Sequence, residues 1–116
     1  ELISRLIIAP GFDRCIMAYR LTEWERFVAE KVIALPQDDP ENRRRVRFIM
    51  AGASECELNK QGRILIPSQL KEFAKIEKET VIIGVYDRLE IWARERYDTY
   101  RPSLDSIDDF AAEMGM

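Results

Sequence analysis

The chain has 116 residues, 47% of them apolar and 34% charged, the balance of one globular domain or of two half-sized units sharing a core. Eighteen basic against 21 acidic residues leave a formal net charge of -3, which excludes a broadly basic surface, so any anion site must be a local patch. Histidine is absent, which removes imidazole as metal ligand and as general base, and with it most zinc and hydrolase chemistry. The two cysteines, Cys15 and Cys56, are far apart and lack CxxC spacing, a pattern of reduced cytosolic thiols rather than a disulfide framework. The longest apolar runs are too short to cross a bilayer and no secretory signal is visible. The chain starts at Glu1 rather than at a methionine, so an upstream segment is expected.

In chain order, residues 3–20 predict two short strands around the turn composition Pro10-Gly11-Phe12-Asp13-Arg14. Thr22 with Glu25 three residues on reads as a capping box opening a helix, along which Trp24, Phe27, Val28, Val32 and Leu35 make one apolar stripe that Pro36 ends. Asp38-Asp39-Pro40-Glu41 starts a second helix, with Val46, Ile49 and Met50 as its buried face and Gly52 at its end. The two helices predict an αα-hairpin. A strand from Ser54 to Leu58, a polar tip, and a strand from Arg63 to Ile66 follow, then a short helix after Pro67 with Leu70, Phe73 and Ala74 facing inward. "TVIIGVYDRLEIW" predicts another strand pair, residues 94–100 a helix, and the segment beyond Pro102 a last helix carrying Leu104, Ile107, Phe110, Ala111 and Met114.

Two of these segments share one design. "IIAPGFDRCIMAY" and "VIIGVYDRLEIW" each place Asp-Arg after an aromatic residue, Phe12 or Tyr86, then a strand ending in Tyr19 or Trp92, then a helix. The first copy carries one extra residue, consistent with a bulge. An internal duplication predicts half-units that close one core together.

The tip Asn59-Lys60-Gln61-Gly62, followed at once by Arg63, suits anion contact. Gly62 can take a positive φ, so the turn can be tight. Lys60 supplies a point charge and Arg63 a planar fork that matches phosphate or the edge of guanine. Asn59 and Gln61 add neutral donors and acceptors, and Lys71 lies one helix turn past Pro67. A polar turn is also the default solution for any hairpin, and spacing alone does not separate the two readings.

"ECELNKQGRILIP", with "LKEFAKIEKETVIIGVYDRLEIW" after it, resembles the second repeat of the MraZ family, whose members carry D-x-K-G-R-x-x-[IV]-P twice, each in a swapped-hairpin unit of the AbrB type. "LTEWERFVAEKVIALP" and "RRRVRFIMAGASE" resemble the segment between the family's repeats, so the resemblance runs through the chain in order. It implies an α+β fold of two pseudo-symmetric swapped-hairpin β units, residues 1–50 and 51–116, with an αα-hairpin between them and a C-terminal helix. The first repeat's own hairpin is expected to be absent. The implied function is a sequence-specific DNA-binding transcriptional regulator of the bacterial division and cell-wall gene cluster, gripping spaced promoter repeats as an octamer-like ring. Neither catalysis, metal nor cofactor is expected, and the implied location is the cytoplasm, at the nucleoid. The family tip falls on Asn59, Lys60, Gln61, Gly62 and Arg63, with Asn59 where the family usually has aspartate. An AbrB-fold antitoxin-like module acting on a protein partner is the alternative.

The basic run Arg43-Arg44-Arg45-x-Arg47 spreads around a helix and reads as ion pairing with acidic helix faces, within the protomer or across a subunit contact. Asp13-Arg14 and Asp87-Arg88 read as structural turn residues, the arginines solvated or at an interface. Trp24, Trp92, Tyr97 and Tyr100 read as packing residues, and the acids from Asp105 to Glu113 as a solvated helix face.

Overall fold

The computed structural model describes residues 5–116; the expected strand start at residues 3 and 4 lies outside them. The architecture is the expected α+β one. Strand β1 (Arg5–Pro10), β2 (Ile16–Tyr19), β3 (Ser54–Glu57), β4 (Thr80–Val85) and β5 (Arg88–Ala93) form one sheet in the order β3-β1-β2-β5-β4, every neighbour antiparallel. Helix α1 (Leu21–Phe27) and α2 (Pro40–Ala51) follow β2, α3 (Ser68–Ala74) precedes β4, and α4 (Arg94–Tyr100) and α5 (Ile107–Glu113) close the chain.

The duplicated design is visible in the register. The hairpins β1–β2 and β4–β5 lie side by side, joined where β2 meets β5, with Ile16 opposite Ile91 and Ala18 opposite Leu89. Aligning the repeats by their closing aromatics matches Ile16 with Leu89 and Ala18 with Ile91, so those cross-strand pairs exchange under a two-fold axis between the strands. On one face of this seam Leu6, Ile8, Ile16, Ala18 and Ile91 pack beneath Leu70 and Ala74 of α3, with Ile64 and Ile66 tucked against them. The matching position in the second hairpin is open: Ile8 is 0% exposed, whereas its repeat mate Ile82 is 63% exposed.

The other face carries Ala9, Met17 and Tyr19, covered by Trp24, Phe27, Val28 and Ile49 of the helical segment. Tyr19, Trp24 and Phe27 meet with centroids 5.5 to 5.7 Å apart, and Trp92 meets Tyr97 and Tyr100 at 5.5 and 4.8 Å, the packing role expected of them. Asp39 caps α2 by accepting from the Glu41 amide at 2.9 Å, with Pro40 in the first turn, as the sequence pattern indicates.

Four local expectations need correction. Helix α1 begins at Leu21 with Arg20 at its N-cap and no side-chain cap, so Thr22 sits inside the first turn and no capping box forms. That helix loosens into a π segment, Val28–Val32, closed by Ile33 N–H donating to Val28 O at 2.8 Å, a widening that lets Val32 reach the interior. Met50 is exposed, and Asn42 takes the inward position instead, donating to Pro36 O at 2.9 Å and accepting from Arg45 at 2.9 Å. Residues 63–66 form no strand: Ile64 and Ile66 turn into the core beside α3 while Leu65 stays exposed, so burial beneath the helix draws the chain away from a ladder on β3.

The extra residue of the first hairpin makes a tight knot. Gly11 N–H donates to Cys15 O at 2.7 Å, and a Cβ on Gly11 would lie 2.6 Å from Met17 Cγ and 2.9 Å from Cys15 Sγ, so only glycine fits. Burial, and then the Glu90 carboxylate, push the Cys15 thiol from 9.0 up to about 12. Its neutral form is the one that fits the fold, so this contribution to stability is complete below the ordinary thiol value and lost as pH rises toward the shifted one. In native protein at pH 8, an alkylating reagent is expected to label half-buried Cys56 first and Cys15 only on unfolding, as peptide mass mapping would show. Ile8→Ala is expected to cost about 2–5 kcal/mol and Ile82→Ala less than about 0.5 kcal/mol, measured by denaturant titration of dilute protein.

Candidate nucleic-acid interface

Antiparallel pairing fixes where the polar tip goes. Arg5 pairs with Glu57 at the start of β1, so the turn that follows β3 lies at the sheet end where β1 begins, β2 ends and β4 turns into β5. The turn at residues 59–63 is closed around one side chain. Asn59 Oδ1 accepts from the Gln61 and Arg63 amides at 2.9 and 2.8 Å, Asn59 O accepts from Gly62 N–H at 2.9 Å, and Asn59 N–H donates to Arg63 O at 2.8 Å. Gly62 adopts φ +76° with open space around it, so backbone conformation rather than crowding is what calls for glycine there. A neutral carboxamide thus accepts the two amide hydrogen bonds that a carboxylate could accept.

With its backbone satisfied internally, the turn leaves its long side chains free. Lys60, Gln61 and Arg63 are exposed, and their side chains make no hydrogen bond or ion pair among the described residues. The nearest anions on β3 are already matched: Arg5 lies 3.2 Å from Glu55 and 3.9 Å from Glu57. Such exposed pairs add little stability. Their effect is local neutrality beside a turn carrying two uncompensated cations. Of the six residues expected to act together, Asn59, Lys60, Gln61, Gly62 and Arg63 form this one turn, while Lys71 stands apart on α3, exposed, with no bond to the turn.

Topology adds a residue that local sequence did not flag. Arg20, between β2 and α1, is exposed at the same sheet end and has no ion-pair partner among the described residues. It borders a cleft of about 450 Å3 together with Glu23, Arg26, Tyr86, Asp87 and Arg88. In the other half of the molecule, Arg96 donates to Asp13 O and Arg14 O at 3.0 and 3.2 Å, and Tyr100 donates to Asp13 at 3.3 Å, so α4 is tied to the turn there.

The two turn arginines differ: Arg14 is exposed, as the solvated reading has it, whereas Arg88 is half-buried. Arg88 is held by Glu90 at 3.0 Å and Asp87 at 3.3 Å, with Glu90 also accepting from Trp92 at 3.1 Å. Burial works against the Arg88 charge, but the Glu90 hydrogen bond and the surrounding negative groups raise its pKa further. Arg14 stacks over Phe73 at 4.9 Å. These side chains serve packing and structure. Among the described residues no group of acidic or sulfur side chains is placed to hold a metal, and no helix is long and apolar enough to cross a membrane.

The family model described as "MraZ protein, putative antitoxin-like" matches residues 49–115. Proteins named transcriptional regulator MraZ are similar along the chain: that of Caldanaerobacter subterraneus is 44% identical over 98% of this chain and 80% of its own length. Those of Desulforamulus reducens and Pelotomaculum thermopropionicum are 43% and 46% identical over 95% of this chain and over 77% and 75% of their own lengths.

Because one carboxamide closes the turn, Asn59→Ala should free the Gln61 and Arg63 amides, while Asn59→Asp should keep them bonded. Amide hydrogen exchange would show the difference, with about a fivefold faster exchange at both positions in the alanine variant, the equivalent of a hydrogen bond worth about 1 kcal/mol.

Proposed function

The chain belongs to the MraZ family, and from that premise we propose that it regulates transcription by binding promoter DNA through the turn at residues 59–63. The observation that carries this reading is the turn's division of labour. Asn59 and Gly62 satisfy the backbone internally, and Lys60 and Arg63 are left as uncommitted cations on a chain whose net charge is -3. Lys60 meets a phosphate as a point charge, and Arg63 reaches a phosphate or the O6 and N7 edge of guanine with its fork. Gln61 reads a neighbouring base edge, and Lys71 adds a phosphate contact from α3. None of these roles is catalytic.

A single turn of this kind is a weak grip. Each phosphate neutralised steepens the salt dependence of log affinity by about 0.9, and each good base contact adds only about 1–3 kcal/mol of discrimination. Repeating the turn around a ring of copies, octamer-like in size, raises the effective concentration of every turn after the first. Regularly spaced promoter repeats are the DNA such a ring would select. In this reading the protein works at the nucleoid in the cytoplasm, and its targets are the repeats upstream of the division and cell-wall gene cluster. Residues 1–50 and 51–116 are then the two repeat units of each copy.

Arg63→Ala is expected to lower affinity for promoter repeats by about tenfold or more, to reduce the salt slope by about one unit, and to leave the assembly's mass unchanged. Gel-shift titrations at several salt concentrations, with light scattering alongside, would check all three; undiminished affinity would remove the turn from the mechanism.

A further inference from the structure

The arginine-rich helix α2 and the C-terminal helix each leave a face uncovered, and the faces are opposite in charge. On α2, Asn42, Val46 and Ile49 turn inward, while Phe48 on the far side is 73% exposed. Arg44 and Arg45 lie one helical turn before Phe48, and Arg47 neighbours Arg44 on the same outward side. Arg43 is occupied by Gln37 O at 2.8 Å and Arg45 by Asn42 at 2.9 Å. Arg44 reaches Glu41 only at 4.0 Å, and Arg47 has no ion-pair partner among the described residues. This face therefore presents an aromatic ring beside two loosely held guanidinium groups.

The last helical stretch is its complement. Leu104 and Met114 are 82% and 66% exposed, and Ile107 between them is also exposed, over half-buried Phe110 and Ala111. Asp108 and Glu113 flank the stripe and Asp109 lies on the far side of the helix; neither these nor Asp105 has an ion-pair partner among the described residues. Exposed aromatic, Met and Arg side chains are enriched at interfaces, and exposed apolar side chains grouped in one patch mark a contact face rather than a solvated helix.

We propose that the Phe48 face of α2 in one copy seats the Leu104–Ile107–Met114 stripe of a second copy. Place argues against DNA as the occupant of α2. Its last turn abuts Pro10, since a Cβ on Gly52 would lie 3.0 Å from the Pro10 ring, and Pro10 lies at the opposite sheet end from the 59–63 turn. A duplex resting on that turn would not meet an aromatic ring at the far end, whereas an acidic apolar helix matches both the ring and the arginines. Each copy carries one face of each kind, so the contact is heterologous and propagates until rotation closes it. The inference thus deepens the ring reading above, on which it rests.

Mixing two blocked variants of the full chain tests it. Phe48→Glu spoils only the first face and Ile107→Glu only the second, each burying an unpaired charge that weakens association by about thirtyfold or more. Each alone should be monomeric by light scattering with an unchanged circular dichroism spectrum. Mixed at equal concentration they should form a dimer and nothing larger, because one intact pair of faces remains. A mixture that stays monomeric, or a Phe48→Glu protein that assembles like wild type, overturns the inference while leaving a ring built on other faces. Wild-type protein that is monomeric at every concentration removes the ring reading as well. Should Phe48→Glu fail to fold, charge exchange decides. Arg44→Asp with Arg47→Asp should weaken assembly, and adding Asp105→Lys with Asp108→Lys to the same chain should restore it; no restoration overturns the inference.

Discussion

The pairing of β2 with β5 is the constraint on which the rest of the molecule depends. A two-stranded hairpin is marginal alone in water, and neither β1–β2 nor β4–β5 has enough apolar surface to close a core. Joined at Ile16–Ile91 and Ala18–Leu89, they make a sheet wide enough to take α3 on one face and the helical segment on the other. Fully burying an isoleucine contributes about 1.5–3 kcal/mol, so Ile8 and Ile16, both 0% exposed, anchor the covered side of that seam. The same pairing sets strand direction, and direction alone places the 59–63 turn, Arg20 and the turn at Tyr86 on one end and the Phe12 turn on the other. A local charge pattern becomes an end of the molecule only through this seam.

Departures from the two-fold are as informative as the symmetry. One half ties α4 to its turn through Arg96 and Tyr100, and the other leaves a cleft beside Arg20 and Arg26. One half buries Ile8 under α3, and the other exposes Ile82. The half tied by α4 carries the Gly11–Cys15 knot, in which Asp13 and Arg14 both take positive φ values, 60° and 65°, where the other turn has one such residue, Tyr86. That backbone strain is tolerated because Arg96 and Tyr100 hold the turn from outside.

Much of this was legible in the chain itself. Strand pairs announced themselves through alternation and turn residues, and α4 falls over residues 94–100 as the pattern indicates. Gly62 was readable because Asn, Gly and the flanking cations leave few other conformations open to a five-residue turn. What local pattern could not show was anything decided by a distant partner. Thr22 and Glu25 spell a capping box, yet the end of β2 starts the helix at Leu21. Residues 63–66 alternate like a strand, but Ile64 and Ile66 find α3 instead of β3. Asn42 looks like a surface residue of a charged helix, and only the path of the chain through Pro36 gives its carboxamide a buried acceptor. Arg20 carries no motif at all; its position follows from strand order.

The charge arrangement explains how an acidic chain could serve an anion. Long-range attraction depends on net charge and is largely screened beyond about 8 Å at physiological ionic strength, so a chain with a formal charge of -3 gains nothing from its overall field. Within that distance only the local count matters. Arg5 cancels Glu55 and Glu57 next to the turn, and an asparagine where a carboxylate would serve equally well as acceptor removes one more negative charge from the turn itself. Lys60 and Arg63 then act without opposition at short range. Such a surface discriminates by contact rather than by steering: it is nearly blind to a polyanion until the turn touches it. On the proposed reading such a protein needs several turns touching at once, and the proposed faces between copies are then as much a part of recognition as the turn.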